Sequence, residues 1–133
     1  MCGGYTYSDG GSDVCYKYST LSDSWQEYGI MPSERAYSAS AYVENFGLVM
    51  AGGYDYGITD SVIVTKDGYT FETLDSLPSP SDYGCLAVID EQTLLLTGGY
   101  GDYTGVHSYD IPSDVWTRYM IQSRLLVRSA FCP

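Results

Sequence analysis

Three segments of the chain combine tyrosine with small polar residues in a way suited to binding. They are rich in Tyr, Gly, Ser, Thr and Asp, contain no lysine, and cover residues 5–13, 54–60 and 100–105. Tyrosine offers a large amphipathic contact area for few lost rotamers, and glycine and serine let a loop conform to its partner. These segments therefore predict noncovalent recognition. The residues expected to contact the partner are Tyr7, Asp9, Tyr56, Asp60, Asp102 and Tyr103.

Catalytic chemistry has little support among the residue types present. His107 is the only histidine, so this chain alone cannot assemble a multi-histidine metal site or a nucleophile with a histidine base. The loop aspartates have the oxygen ligands that calcium prefers, but they lack the spacing of a calcium-binding loop. The sequence predicts a protein that is not an enzyme and that needs no metal or cofactor.

The charge balance narrows the class of partner. Six Lys and Arg oppose seventeen Asp and Glu, which gives a formal net charge of -11. A surface this acidic disfavours nucleic acid, whose phosphates need basic residues, and it disfavours an anionic membrane surface. The apolar runs are far shorter than the roughly twenty residues of a membrane-spanning helix. We expect a protein or peptide partner, no nucleic acid and no membrane insertion.

A repeat sets the positions of the three polar segments. An apolar run followed by two glycines and a tyrosine recurs, with Gly52 forty-nine residues after Gly3 and Gly98 forty-six residues after Gly52. Two mostly aromatic positions, always seven residues apart, follow each glycine pair: Tyr18 and Trp25, Val64 and Phe71, Tyr109 and Trp116. A fixed interval after a loop of variable length is typical of paired strands, because pairing fixes the register while the loop at the tip tolerates insertions. We expect almost no helix, and inner strands over residues 35–43 and 83–89.

Glycine pairs, tyrosines and tryptophans at a period near fifty resemble the kelch repeat. The resemblance covers essentially the whole chain, although Val64 and Phe71 replace tyrosine and tryptophan in the middle unit. It implies an all-β fold made of four-stranded antiparallel blades of a β-propeller. A chain of 133 residues holds fewer than three such blades, so we expect an open fragment completed by the remaining blades of the same propeller. The expected units are an incomplete blade at 1–28, blades at 35–77 and 82–119, and the start of another at 128–133.

The resemblance also implies a protein-interaction module that binds through its inter-strand loops and the crossings between blades. In kelch propellers that bind acidic peptides, arginines at the start of an inner strand hold carboxylates, which implicates Arg35 and Arg128 here. Asp82 is expected at the corresponding place in the middle unit. Each arginine could instead pair with a neighbouring loop aspartate. The tyrosines that directly follow the glycines, Tyr5, Tyr54 and Tyr100, are expected to have a structural role.

A second class of function is a segment of a propeller enzyme, galactose-oxidase-like or sialidase-like, with its catalytic residues outside this chain. Residues 67–71 are similar to the Asp box of sialidases, but the spacing is one residue short. An ordinary hairpin turn explains the same residues.

Four cysteines bear on the cellular compartment. The repeat register places Cys2 and Cys15 on neighbouring antiparallel strands, where a disulfide would contribute about 3 kcal/mol by closing a short loop. Cys85 and Cys132 fall near the same point of two successive inner strands, and their partners are left open. Together with the scarcity of lysine, the cysteines favour an extracellular or secreted protein. The alternative is a cytoplasmic protein with four buried free thiols.

Overall fold

The computed structural model describes residues 1–120, and this part of the chain is all-β without a helix. The strands are β1 (Tyr5–Thr6), β2 (Gly10–Gly11), β3 (Val14–Ser19), β4 (Ser24–Ile30), β5 (Ala39–Val43), β6 (Gly47–Ala51), β7 (Val62–Thr65), β8 (Glu72–Leu74), β9 (Cys85–Asp90), β10 (Thr93–Thr97), β11 (Gly105–Asp110) and β12 (Val115–Met120). Within these residues, no helix is long and apolar enough to cross a bilayer.

Two four-stranded antiparallel sheets form the centre of the structure. Their strand orders are β5-β6-β7-β8 and β9-β10-β11-β12, so each sheet is a simple meander. Two smaller sheets, β1-β2 and β3-β4, precede them. The expected all-β fold of four-stranded antiparallel sheets is confirmed, and the open sheets are consistent with blades of a propeller. The blade boundaries stay predictions, and residues 128–133, including Arg128 and Cys132, lie outside the described residues.

The main hydrophobic core lies between the two four-stranded sheets. Val49 and Val62 from one sheet and Leu94, Leu96 and Tyr109 from the other are almost completely buried in one apolar cluster. In β10 the buried residues alternate with half-buried ones, as expected for a strand that packs on one face. All four residues of β7 are buried, which is typical of a strand covered on both faces.

The inner strands begin later than the sequence predicts. β5 begins at Ala39 instead of residue 35, and β9 begins at Cys85 instead of residue 83. Before each strand a tyrosine, Tyr37 or Tyr83, adopts a left-handed backbone conformation with φ of 55° or 54°. This conformation turns the chain out of the extended geometry, so regular pairing cannot start until after the tyrosine.

Cys2 and Cys15 form a disulfide whose Cα atoms lie 4.0 Å apart, which confirms the predicted pairing. The bond joins the residue before the first glycine pair to β3. Cys15 is buried in a second, smaller apolar cluster with Met31, Met50 and Ile63. Within residues 1–120 no cysteine is a free thiol, Cys85 included.

A polar joint connects the two four-stranded sheets near their outer strands. Trp116 Nε1 donates a hydrogen bond to the Asp75 carbonyl at 3.0 Å, and the Asp75 N–H donates to Asp114 Oδ1 at 2.9 Å. The Tyr109 hydroxyl donates to the same Asp114 oxygen at 2.6 Å. Tyr109 and Trp116 are thus buried because the preceding sheet covers them. The equivalent residues of the first unit, Tyr18 and Trp25, are 42% and 56% exposed.

Substitution of the two equivalent tryptophans tests this joint. We expect Trp116→Ala to lower the free energy of unfolding by about 3–5 kcal/mol, because it leaves a cavity between the sheets and removes the bond to Asp75. The matched variant Trp25→Ala should cost less than half as much, since that ring is already half in solvent. Urea unfolding of both variants measures the difference. Equal decreases in the free energy of unfolding would contradict a stabilising role for the joint.

Candidate interaction surface

The three polar loops and the crossings between sheets lie side by side. The two described crossings cover residues 31–38 and 75–84. Backbone hydrogen bonds of 2.8 to 3.1 Å join Ser12 to Arg35, Tyr54 to Ala36, Asp60 to Leu77 and Tyr100 to Asp82. We call the surface formed by the three loops and two crossings the loop face. Its backbone is held by these bonds, so its side chains are presented from a fixed frame.

Five of the predicted contact residues are exposed on this surface. Tyr7 is fully exposed, Tyr56 is 88% exposed and Tyr103 is 61% exposed. Asp9 and Asp60 are exposed as well. Tyr100 adds to the aromatic surface, since the Tyr100 and Tyr103 rings meet edge to face with their centroids 5.4 Å apart. These residues can contact a partner without rearrangement of the fold.

Arg35 has a different role from the one that the sequence predicts. Its side chain is only 3% exposed, and its guanidinium donates to the Gly52 carbonyl at 2.6 Å and to the Ser61 carbonyl and hydroxyl at 2.9 Å. Burial lowers the pKa of Arg35, and attraction to Asp55 opposes this shift. The guanidinium therefore ties the first crossing to the ends of β6 and β7, and it is not available to hold a partner's carboxylate.

The residue that corresponds to Arg35 in the second crossing is Ser81, and not Asp82 as the sequence predicts. Ala36 bridges to Tyr54 as Asp82 bridges to Tyr100, which fixes the register between the units. The Ser81 hydroxyl donates to the Gly98 carbonyl at 3.3 Å, as Arg35 donates to that of Gly52. The short hydroxyl thus replaces the long guanidinium at the same carbonyl position.

Asp102 is also buried, although the sequence predicts that it contacts a partner. It is 6% exposed and forms a two-point ion pair with Arg118, with Nε to Oδ2 at 2.8 Å and Nη2 to Oδ1 at 2.9 Å. Ser79 Oγ and His107 Nε2 each lie 3.0 Å from Oδ2. The Arg118 guanidinium, above all, lowers the pKa of Asp102 to about 2. Asp102 therefore links a loop, a crossing and two strands inside the fold.

The group around Asp102 does not form a catalytic triad. The Ser79 hydroxyl donates to the carboxylate and not to His107, so no base is placed to activate it. His107 is buried, and burial lowers its pKa despite the hydrogen bond and attraction from Asp102. Among residues 1–120, no three His, Cys, Asp or Glu side chains converge in a way that could hold a metal ion.

A row of tyrosines on the loop face is not predicted from the sequence. The rings of Tyr37 and Tyr83 stack with centroids 4.5 Å apart, and Tyr5 lies 5.9 Å from Tyr37. We call Tyr5, Tyr37 and Tyr83 the aromatic row; all three are exposed. Tyr5 was expected to be structural, and its ring is half in solvent. Tyr37 and Tyr83 could be found from their equivalent positions in the two units, since they follow Arg35 and Ser81 by two residues each.

Comparison with known proteins gives one relative at low identity. Alpha-scruin from Limulus polyphemus, a kelch-repeat protein, is 28% identical to this chain over 115 residues. The match covers 77% of this chain but 12% of alpha-scruin, so the chain spans a small part of that relative's length. No family model matches the chain. The similarity agrees with the glycine and aromatic repeat.

The buried histidine predicts a specific dependence of stability on pH. The folded-state pKa of His107 is lowered from its usual value near 6.5, so the fold favours neutral imidazole and the unfolded chain takes up the proton first. The contribution of His107 to the free energy of unfolding is therefore complete above about pH 6.5. It declines as the pH falls from there through the folded-state pKa. The lowered pKa of Asp102 also makes stability decline as the pH falls, but at much lower pH, between about 4 and 2.

We expect the urea midpoint of the wild-type chain to decrease as the pH is lowered from 7 to 5.5. The variant His107→Val removes the only histidine and places there the residue type that Val62 has at the equivalent strand position. Its midpoint should be nearly constant over this interval. Parallel pH profiles for the two proteins would show that His107 does not carry the effect.

Proposed function

We propose that this chain is part of a kelch-type propeller and acts as a protein-interaction module through its loop face. The observation that carries the proposal is the concentration of exposed tyrosines on a surface whose backbone is fixed by hydrogen bonds. The similarity to alpha-scruin and the four-stranded antiparallel sheets support the kelch assignment. Fixed aromatic side chains with a polar tip are typical of binding surfaces, because they bury a large area at low entropic cost.

The opposite end of the sheets has the character of simple connections. This end holds the short charged turns that join β5 to β6, β7 to β8 and β9 to β10, and Asp67 illustrates their chemistry. The Asp67 carboxylate accepts hydrogen bonds from the N–H groups of Tyr69 at 2.8 Å and Thr70 at 2.7 Å, and these lower its pKa to about 2. Such a carboxylate stabilises its own turn. The resemblance to an Asp box is therefore explained by the hairpin, and no observation on residues 1–120 favours the enzyme alternative.

We further propose that the protein works in an extracellular or otherwise oxidising compartment. The Cys2–Cys15 disulfide supports this, because such bonds persist where glutathione does not reduce them. We expect protein secreted from a eukaryotic host to retain this bond, as shown by peptide mapping after alkylation without reduction. Free thiols at both positions, together with failure of secretion, would favour the cytoplasmic alternative.

Substitution of loop-face tyrosines tests the proposed function. The variant Tyr56→Asn with Tyr103→Asn removes two exposed rings; asparagine tolerates the left-handed backbone of Tyr56, where φ is 50°. The matched control, Tyr42→Asn with Tyr69→Asn, removes two rings of similar exposure from the other end of the sheets. Because aromatic anchors dominate interface energies, a true partner should lose about tenfold or more in affinity with the first pair alone.

The measurement is affinity capture with the wild-type chain and both variants, compared by quantitative mass spectrometry. At least one protein should be retained by wild type and control and depleted from the loop-face variant. A set of captured proteins that is the same for both variants would overturn the loop face as the interaction surface.

A further inference from the structure

A small cavity opens on the loop face beside the aromatic row. It has a volume of about 210 Å³, and its walls are three tyrosines, Tyr5, Tyr54 and Tyr56, and three acidic residues, Asp9, Glu34 and Asp55. Sites for drug-sized molecules usually measure about 300 to 1,000 Å³. The cavity is therefore sized for a single side chain rather than for an organic cofactor.

The acidic residues of this cavity are not neutralised within the described chain. Every ion pair among residues 1–120 involves Asp102, so Asp9, Glu34 and Asp55 have no basic partner within 4 Å. The buried guanidinium of Arg35 attracts Asp55 while bonded to backbone carbonyls. Three carboxylates against one guanidinium leave a negative surplus, and a concave site of one sign concentrates its field on an incoming cation.

The tyrosine rings add a second preference for a cation. Tyr5 and Tyr54 are partly exposed and Tyr56 is almost fully exposed, so their rings are open to a ligand. The face of an aromatic ring attracts a cation that lies within about 6 Å of its centroid. Tyr5 also continues into the aromatic row through Tyr37, which offers a platform beside the cavity.

Building on the function proposed above, we infer that the cavity binds an arginine side chain from a basic segment of the partner protein. A guanidinium is planar, so it can stack on a tyrosine and donate paired hydrogen bonds to a carboxylate at once. A lysine ammonium carries the same charge, but it is not planar and cannot stack on a ring in this way. The inferred partner is thus basic, opposite in charge to the acidic peptide that exposed arginines would bind.

The test uses three acetylated and amidated Gly/Ser peptides that differ at one central position: arginine, lysine or citrulline. Binding to the full 15N-labelled chain is followed by amide shifts in NMR. We expect the arginine peptide to give saturable shifts at Asp55 and at Gly10 and Gly11, which also line the cavity. The lysine peptide should bind more weakly, and the citrulline peptide should show no saturable binding. Equal binding of the citrulline and arginine peptides would overturn the inference, since citrulline keeps the shape without the charge.

Two substitutions and two controls assign the binding to the cavity. Glu34→Gln and Tyr56→Asn should each weaken the arginine peptide by about 2–5-fold, the range for one exposed ion pair or one cation–π contact. Glu91→Gln and Tyr42→Asn make the same chemical changes at the other end of the sheets and should have no effect. If Glu91→Gln weakens binding as much as Glu34→Gln, net charge alone is responsible and the cavity assignment is wrong.

The outcomes separate this inference from the proposed function. If the arginine peptide fails to bind while a captured protein still depends on Tyr56 and Tyr103, the ligand class is wrong and the interaction surface stands. If the arginine peptide fails to bind and no captured protein depends on Tyr56 and Tyr103, both proposals are wrong.

Discussion

The contact between a glycine pair and the following crossing is the constraint on which the loop face depends. Gly52 adopts a left-handed conformation, and a Cβ there would lie 2.1 Å from the Ser81 carbonyl oxygen. The N–H of Gly53 donates to that same oxygen at 2.8 Å. Gly3 approaches the Arg35 carbonyl in the same way, at 2.2 Å. Only glycine satisfies both the backbone conformation and the close approach, so the repeated pair fixes each crossing against the loop that follows the pair.

The sequence predicts the features that depend on this local repetition. The glycine pairs and the seven-residue aromatic interval are enough for the strand pattern, the sheet type and the Cys2–Cys15 bond, because each is set by register within one unit. The roles of Arg35 and Asp102 could not be predicted, since each depends on a partner from another element. Asp102 is buried because Arg118, sixteen residues later on β12, reaches its carboxylate. No sequence interval repeats that pairing in the other units.

Burial of selected charges determines the polarity of the loop face. Arg35 and Asp102 use their charged groups to join crossings, loops and strands, so neither charge is offered to solvent. The carboxylates of Asp9, Glu34 and Asp55 have no such partner in residues 1–120 and remain open. Within a chain of net charge -11, this surface should attract basic partners most strongly at low ionic strength, where the Debye length is long. Among residues 1–120, the loop face thus offers open carboxylates among tyrosines, and the Arg35 guanidinium is withdrawn into the fold.

The backbone of the aromatic row is strained at two of its three tyrosines. A left-handed conformation at a tyrosine costs on the order of 1–3 kcal/mol, and both Tyr37 and Tyr83 adopt it. The Tyr83 N–H donates to the Tyr37 carbonyl at 2.9 Å, so the two turns support each other across the crossings. Neither ring is buried in return, and both remain in solvent, stacked on one another. A glycine would avoid the strain but would also remove the stacked rings, so the two tyrosines join the crossings through their side chains as well as through their backbones.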